Sequence, residues 1–215
     1  RIPPSSEPMK VLGIDIGGSA FKGAPVDTKT GKLLAERHRV EVDAPCPTTQ
    51  GLAAAREIAR HFNWQGPIGI GFPGVIQGSR IGAVGNLGRN WEKQDGGKLF
   101  GRATGCQVAL FNDADAAGLA EMKFGAGRSQ LGSALMLTMG TGIGSALFYQ
   151  GRLMPNIEFG HIPWKGKPIE RFASAAVKKR RDLNWREWAL RVNVFLAVAE
   201  RISSPELIII GGGVS

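Results

Sequence analysis

The chain has 215 residues, 43% of them hydrophobic, and a formal net charge of +9. That is enough apolar material to bury one large core or two small ones, which excludes a disordered chain. No apolar run approaches the ~20 residues of a membrane span, and no signal-like segment opens the chain, so a cytoplasmic protein is expected. Cys46 and Cys106 are isolated, without metal-ligand spacing, which fits a reducing compartment and argues against structural zinc.

Residues 1–9 are polar and rich in Pro and Ser, and read as a flexible tail; the absence of an initial Met suggests a trimmed chain. Lys10 to Ile16 reads as a strand that stops at Asp15-Ile16-Gly17-Gly18-Ser19, and Phe21 to Val26 follows as an antiparallel partner. Paired glycines leave backbone N–H groups exposed to a phosphate, Ser19 adds a hydroxyl, Lys22 a cation, and Asp15 could hold Mg²⁺ through water. A plain hairpin turn explains the glycines equally well.

A third strand is expected over about Lys32 to Val42, a helix over Gln50 to Phe62 and a fourth strand over Ile68 to Phe72, ending at Phe72-Pro73-Gly74. A polar loop, Gly85 to Trp91, comes next, and then a fifth strand, Val108 to Phe111, which runs into Asn112-Asp113 at the start of an Ala-rich helical pattern. A carboxylate at a strand's carboxyl end sits where open α/β sheets bind ligands, and it could accept a proton from a substrate hydroxyl. A helix N-cap is the competing explanation.

The pattern then restarts. Ser133 to Met139 leads into Thr138-Met139-Gly140-Thr141-Gly142-Ile143-Gly144 and a second strand, Ser145 to Tyr149, a near copy of the first strand, glycine turn and strand. Neither turn matches the dinucleotide or P-loop fingerprints. Glu158-Phe159-Gly160-His161 follows, His161 being by itself an ordinary surface histidine. Asn184 with Glu187 forms a capping box for a helix whose inner face is read as Trp185, Trp188, Ala189, Val192, Leu196, Ala199 and Ile202. Leu207 to Ile210 reads as a buried strand, and Gly211-Gly212-Gly213 as a third glycine turn. The organisation expected is a first lobe over 10–127 and a second over 128–215, the second incomplete because no covering helix follows the last turn.

The charge is unevenly spread. Between Lys165 and Arg186 stand eight bases (Lys165, Lys167, Arg171, Lys178, Lys179, Arg180, Arg181, Arg186) and two acids (Glu170, Asp182), so this window holds +6 of the +9. Such a cluster suits a polyanion, although a solvated helix face is the commoner meaning of a charge run.

The strings Asn112 to Gly118, Thr138 to Ser145 and Pro155 to His161, taken together, resemble the ROK family of sugar kinases, and within it the polyphosphate-using glucokinase and glucomannokinase branch. The resemblance runs from about Lys10 to Ser215. It implies an α/β chain with the duplicated two-lobe fold of actin-like, ribonuclease H-like ATPases, and transfer of a phosphoryl group from polyphosphate, and ATP as well, to the 6-hydroxyl of glucose. By the resemblance Asp113 is the general base, and Gly74, Asn86, Asn112, Glu158 and His161 are sugar ligands. The turns at Gly17 to Ser19 and Gly140 to Gly144 are its phosphate loops, and Gly211 to Gly213 its nucleotide-side loop. Mg²⁺ and a homodimer are implied too. Many members carry a Cys-rich zinc loop after the Glu-x-Gly-His segment, but here no Cys follows Cys106, so no zinc is expected. The basic window stands in that place, with Lys165, Lys178, Lys179, Arg180 and Arg181 as a track for polyphosphate. An ATP-only hexose kinase and a non-catalytic sugar-binding fragment or regulator are the alternatives. A sugar-sensing repressor on this fold would need an amino-terminal DNA-binding module for which ~9 residues leave no room, so no nucleic-acid partner is expected.

Overall fold

The computed structural model describes residues 9–85 and 87–213, which fall into two compact units, Arg1–Asp113 and Ala114–Ser215. The expected tail, Met9 excepted, and Asn86 lie outside the described residues.

The first unit is built on β1 (Lys10–Ile16), β2 (Ala20–Asp27), β3 (His38–Glu41), α1 (Thr48–His61), β4 (Ile68–Phe72), the hairpin β5 (Gly74–Gln77) and β6 (Arg80–Val84), α2 (Gly96–Thr104) and β7 (Val108–Asn112). The main sheet has the order β3-β2-β1-β4-β7, with β1, β4 and β7 parallel and the others antiparallel. Alternation along β1 turns Leu12, Ile14 and Ile16 inward, where they pack with Ile58 of α1 and Phe100 of α2. Trp91 lies in the same core, stacked on Phe100 and edge-on to Phe72, and its indole N–H donates to the Cys46 carbonyl at 2.9 Å.

The second unit follows α3 (Asp113–Phe124) with β8 (Ser133–Met139), β9 (Ile143–Tyr149), β10 (Arg152–Met154), the hairpin β11 (Pro163–Trp164) and β12 (Lys167–Pro168), α4 (Glu170–Ala173), α5 (Ala175–Arg180), α6 (Trp185–Ser203) and β13 (Leu207–Gly212). Its sheet has the order β10-β9-β8-β13, with β8 and β13 parallel. The first four strands of the other sheet are thus repeated in order and direction, the duplication that the paired glycine turns imply. β8 is apolar on both faces because both are covered. Leu135, Leu137 and Met139 meet Trp188, Val192 and Phe195 of α6, while Ala134 and Met136 share the opposite core with Phe148, Ile209 and Met122 of α3.

The differences from expectation are local. The third strand shrinks to His38–Glu41, with one isolated bridge at Leu33, because residues 32–37 are exposed and have no face to bury. Helix α3, expected in the first lobe, groups beyond Asp113 with the second unit: Gly118 lies so close to the second sheet that a Cβ there would fall 2.7 Å from Ala146. On α6 the inner face is Trp188, Val192, Phe195 and Ala199, whereas Trp185, Ala189 and Ile202, read as inner positions, are exposed. Gly211 and Gly212 continue β13 as partners of Thr138 and Met139, Gly212 at a φ of 107°, so only Gly213 remains of the third turn.

Candidate functional site

In the first unit three parallel strands deliver polar groups to one edge. Register places Asp15 of β1 beside Gly71 of β4, and Phe72 beside Asn112 of β7, so the turn after Ile16, the Pro73-Gly74 corner and the start of α3 lie side by side. This is the carboxyl edge, where α/β sheets bind ligands. The first glycine turn is closed by the Gly17 N–H donating to the Ala20 carbonyl at 3.0 Å, and the Ser19 carbonyl accepts from Val42 at 3.0 Å. Lys22 stands directly across the ladder from Asp15, and both are exposed. A cation and a carboxylate therefore flank the mouth of the turn.

Asn112 is buried, and its side-chain amide donates to the Gly74 carbonyl at 3.1 Å. That bond fixes the entrance of the β5–β6 hairpin against the end of β7. Asp113, the next residue, opens α3 with an exposed carboxylate. The two neighbours thus divide the work: one amide shapes the edge and one acid meets solvent. Asn86, the remaining expected sugar ligand of this unit, lies outside the described residues.

In the second unit the glycine turn between β8 and β9 is closed by the Gly140 N–H donating to the Gly142 carbonyl at 3.0 Å, with Thr138 paired to Gly144 at its base and Thr141 at its tip. The segment Asn156 to His161 is pinned from two elements. Asp115 of α3 accepts the Asn156 N–H at 3.0 Å, while Ser145 of β9 donates its hydroxyl to the Ile157 carbonyl at 2.6 Å and accepts the Phe159 N–H at 2.9 Å. Glu158 and His161 stand at the two ends of the single helical turn so fixed, half-buried and exposed respectively. Burial pushes the Asp115 carboxyl pKa above its ordinary value, and the Asn156 N–H partly offsets the rise.

The bases of the window are mostly exposed, and some of them gather around one concavity. Lys165 sits at a positive φ at the tip of the β11–β12 hairpin. Lys167, Pro168, Arg171, Arg180 and Arg181 line an open groove of about 390 Å³. Lys167 and Arg171 were absent from the expected track, although both stand in the counted window. Lys178 is not in the groove lining, and its ammonium lies 4.3 Å from the centre of the exposed Trp185 ring. Lys179 is exposed and lies outside the groove lining.

The family pattern described as ROK matches residues 11–172. A polyphosphate glucokinase of Mycobacterium tuberculosis (strain CDC 1551 / Oshkosh) is 41% identical over 208 residues, covering 95% of this chain and 77% of that protein. The chain belongs to the ROK family. A polyphosphate glucokinase of Mycobacterium leprae (strain TN) is 40% identical over 95% of this chain and 63% of its own. The solved inorganic polyphosphate/ATP-glucomannokinase of Arthrobacter sp. strain KM superposes with a TM-score of 0.91 at 39% identity, covering 95% of this chain and 84% of that one. The fold is accordingly the duplicated, actin-like ATPase fold of ROK sugar kinases.

Proposed function

We propose that this ROK chain is a hexokinase that transfers a phosphoryl group from inorganic polyphosphate to the 6-hydroxyl of glucose. The observation that carries the donor assignment is the groove lined by Lys167, Arg171, Arg180 and Arg181, borne by the segment that also contacts the second glycine turn. A linear polyphosphate has a repeating charge and no base to read, so a groove of cations that offers little else suits it. ATP is a second donor, as the relatives' chemistry suggests, gripped by its phosphates at the same turns.

Asp113 takes the proton from the attacking hydroxyl. An exposed carboxylate at a strand's carboxyl edge needs no further activation for this, because phosphoryl transfer depends mainly on positioning and charge neutralisation. Asn86, Glu158 and His161 bind sugar hydroxyls, each able to bridge neighbouring groups, as do Asn112 and the backbone at Gly74 in the first unit. Gly17 to Ser19, Lys22 and Gly140 to Gly144 serve donor phosphates, with Gly211 to Gly213 on the nucleotide side.

Mg²⁺ fits this arrangement as a passenger of the donor. Among the described residues no group of three or more His, Cys, Asp or Glu side chains is placed to hold a metal, and the single exposed carboxylate of Asp15 suits an ion that keeps its waters and the donor's oxygens. The ion would neutralise donor charge. Free cysteines at positions 46 and 106 agree with a reducing, cytoplasmic setting, and no described helix is long and apolar enough to cross a membrane. The family resemblance adds a homodimer and no nucleic-acid partner.

The position of transfer is tested with 6-deoxyglucose and polyphosphate. The proposal expects 6-deoxyglucose to compete with glucose while yielding no phosphorylated product. A phosphorylated 6-deoxyglucose would move the reaction to another hydroxyl.

A further inference from the structure

The second glycine turn is held from outside by the basic segment. A carboxylate oxygen of Glu170, the first residue of α4, accepts the backbone N–H of Ile143 at 3.1 Å. At Gly142 an added Cβ would meet the same oxygen in hard contact, so the glycine is what lets the acid reach the turn. Six residues on from Glu170, the Ala176 N–H of α5 donates to the Gly140 carbonyl at 3.1 Å. Both sides of the turn are therefore bonded to the segment that bears Arg171, Arg180 and Arg181.

That segment is itself anchored. The Trp188 indole N–H donates to the carbonyls of Ala173 and Ser174 at 2.9 and 3.2 Å, and the Arg191 guanidinium lies 5.0 Å from the centre of the Phe172 ring while bonding the Phe172 carbonyl at 3.4 Å. Helix α6, whose inner face is buried in the core, thus fixes α4 and α5, and these fix the turn.

We propose that Glu170 is a positioning residue for the phosphoryl donor, setting the Gly140 to Ile143 turn in the shape that grips phosphate and tying it to the basic groove. The inference rests on the reading that this turn serves the donor. An acid among bases would ordinarily weaken a polyanion site, since its charge repels the ligand. Here the negative charge is spent on a backbone N–H, and the return is a turn that is preorganised before donor arrives.

The test compares the wild type with Glu170→Gln, which keeps an oxygen acceptor of the same reach, and Glu170→Ala, which keeps none. Two readouts are needed. Amide hydrogen exchange at Ile143 in the protein without donor reports the latch whether or not glucose is phosphorylated. Donor KM, with tripolyphosphate and with ATP at saturating glucose, reports its use. The proposal expects Ile143 protected in the wild type and Glu170→Gln and unprotected in Glu170→Ala. It also expects donor KM to rise about 10-fold or more in Glu170→Ala and only about 3-fold or less in Glu170→Gln, with glucose KM unchanged, since a lost charge-assisted bond is worth at least that factor. Unaltered protection in Glu170→Ala overturns the latch. Lost protection with unchanged donor KM overturns its role, and a lower donor KM in Glu170→Ala would recast Glu170 as a competitor of the donor. A wild type inactive with every donor refutes the kinase reading instead, while the exchange result still decides the latch.

Discussion

Asp115 accepts the backbone N–H of Asn156 at 3.0 Å, which ties the helix begun by Asp113 to the segment that carries Glu158. Only 3% of Asp115 is exposed, and burial raises its pKa. A raised carboxylate pKa means that the protonated form is favoured on folding: its stabilisation is complete below the unfolded-state value and is lost as pH rises through the folded-state value. Above the unfolded-state value, neutral pH included, the buried Asp115 carboxyl therefore costs stability. Asp115→Asn keeps an oxygen for Asn156 and removes the charge. Its Tm is expected to exceed that of the wild type near neutral pH, and the advantage should shrink towards about pH 4. A Tm difference that stays constant across that range contradicts the burial argument.

Asp113→Asn should leave glucose affinity within a few-fold and lower kcat by ~10²-fold or more, because an amide cannot take the hydroxyl proton while it can still bond the sugar. Glucose binding by calorimetry and turnover by a coupled assay separate the two effects. Near-normal turnover would remove Asp113 as the base.

The groove makes a contrast that charge counting alone does not. Arg171→Gln, Arg180→Gln and Arg181→Gln combined should raise the polyphosphate KM by ~10-fold or more, ATP being affected less, and added salt should weaken polyphosphate use more steeply than ATP use. Lys178→Gln should spare both donors and slightly lower stability, since that ammonium packs on Trp185. Equal loss with both donors in the triple variant, or a polyphosphate-specific loss in Lys178→Gln, would contradict the assignment.

Phe195 is fully buried in the core between α6 and the second sheet. Phe195→Ala should destabilise the protein by about 3–5 kcal/mol, read from urea unfolding. A loss under about 1 kcal/mol would mean that α6 is not the anchor proposed for α4 and α5.

The elements legible in the sequence are those set by short-range chemistry. Alternation gave β1 and β4, the glycine pairs gave the repeated turns, and Asn184 with Glu187 forms the capping box with both bonds at 2.9 Å. Asn112 and Asp113 stood out because a strand pattern meets a helix pattern there. What stayed hidden depends on contacts between distant segments. Glu170 was one acid among bases, and only the fold brings it to Ile143, 27 residues back along the chain. Asp115 lies within a helical pattern, and only the fold brings the Asn156 N–H to its carboxylate. Phe195 was missed as an inner residue because Trp185 and Ile202 suggested a helical face rotated from the one that packs.

The central claim concerns the donor, and the most direct measurement is glucose 6-phosphate formation with Mg²⁺ and either long-chain polyphosphate or ATP as sole donor, at equal phosphoryl concentration. The account predicts product from polyphosphate, with Lys167, Arg171, Arg180 and Arg181 supplying the affinity. Product from ATP and none from polyphosphate would contradict it.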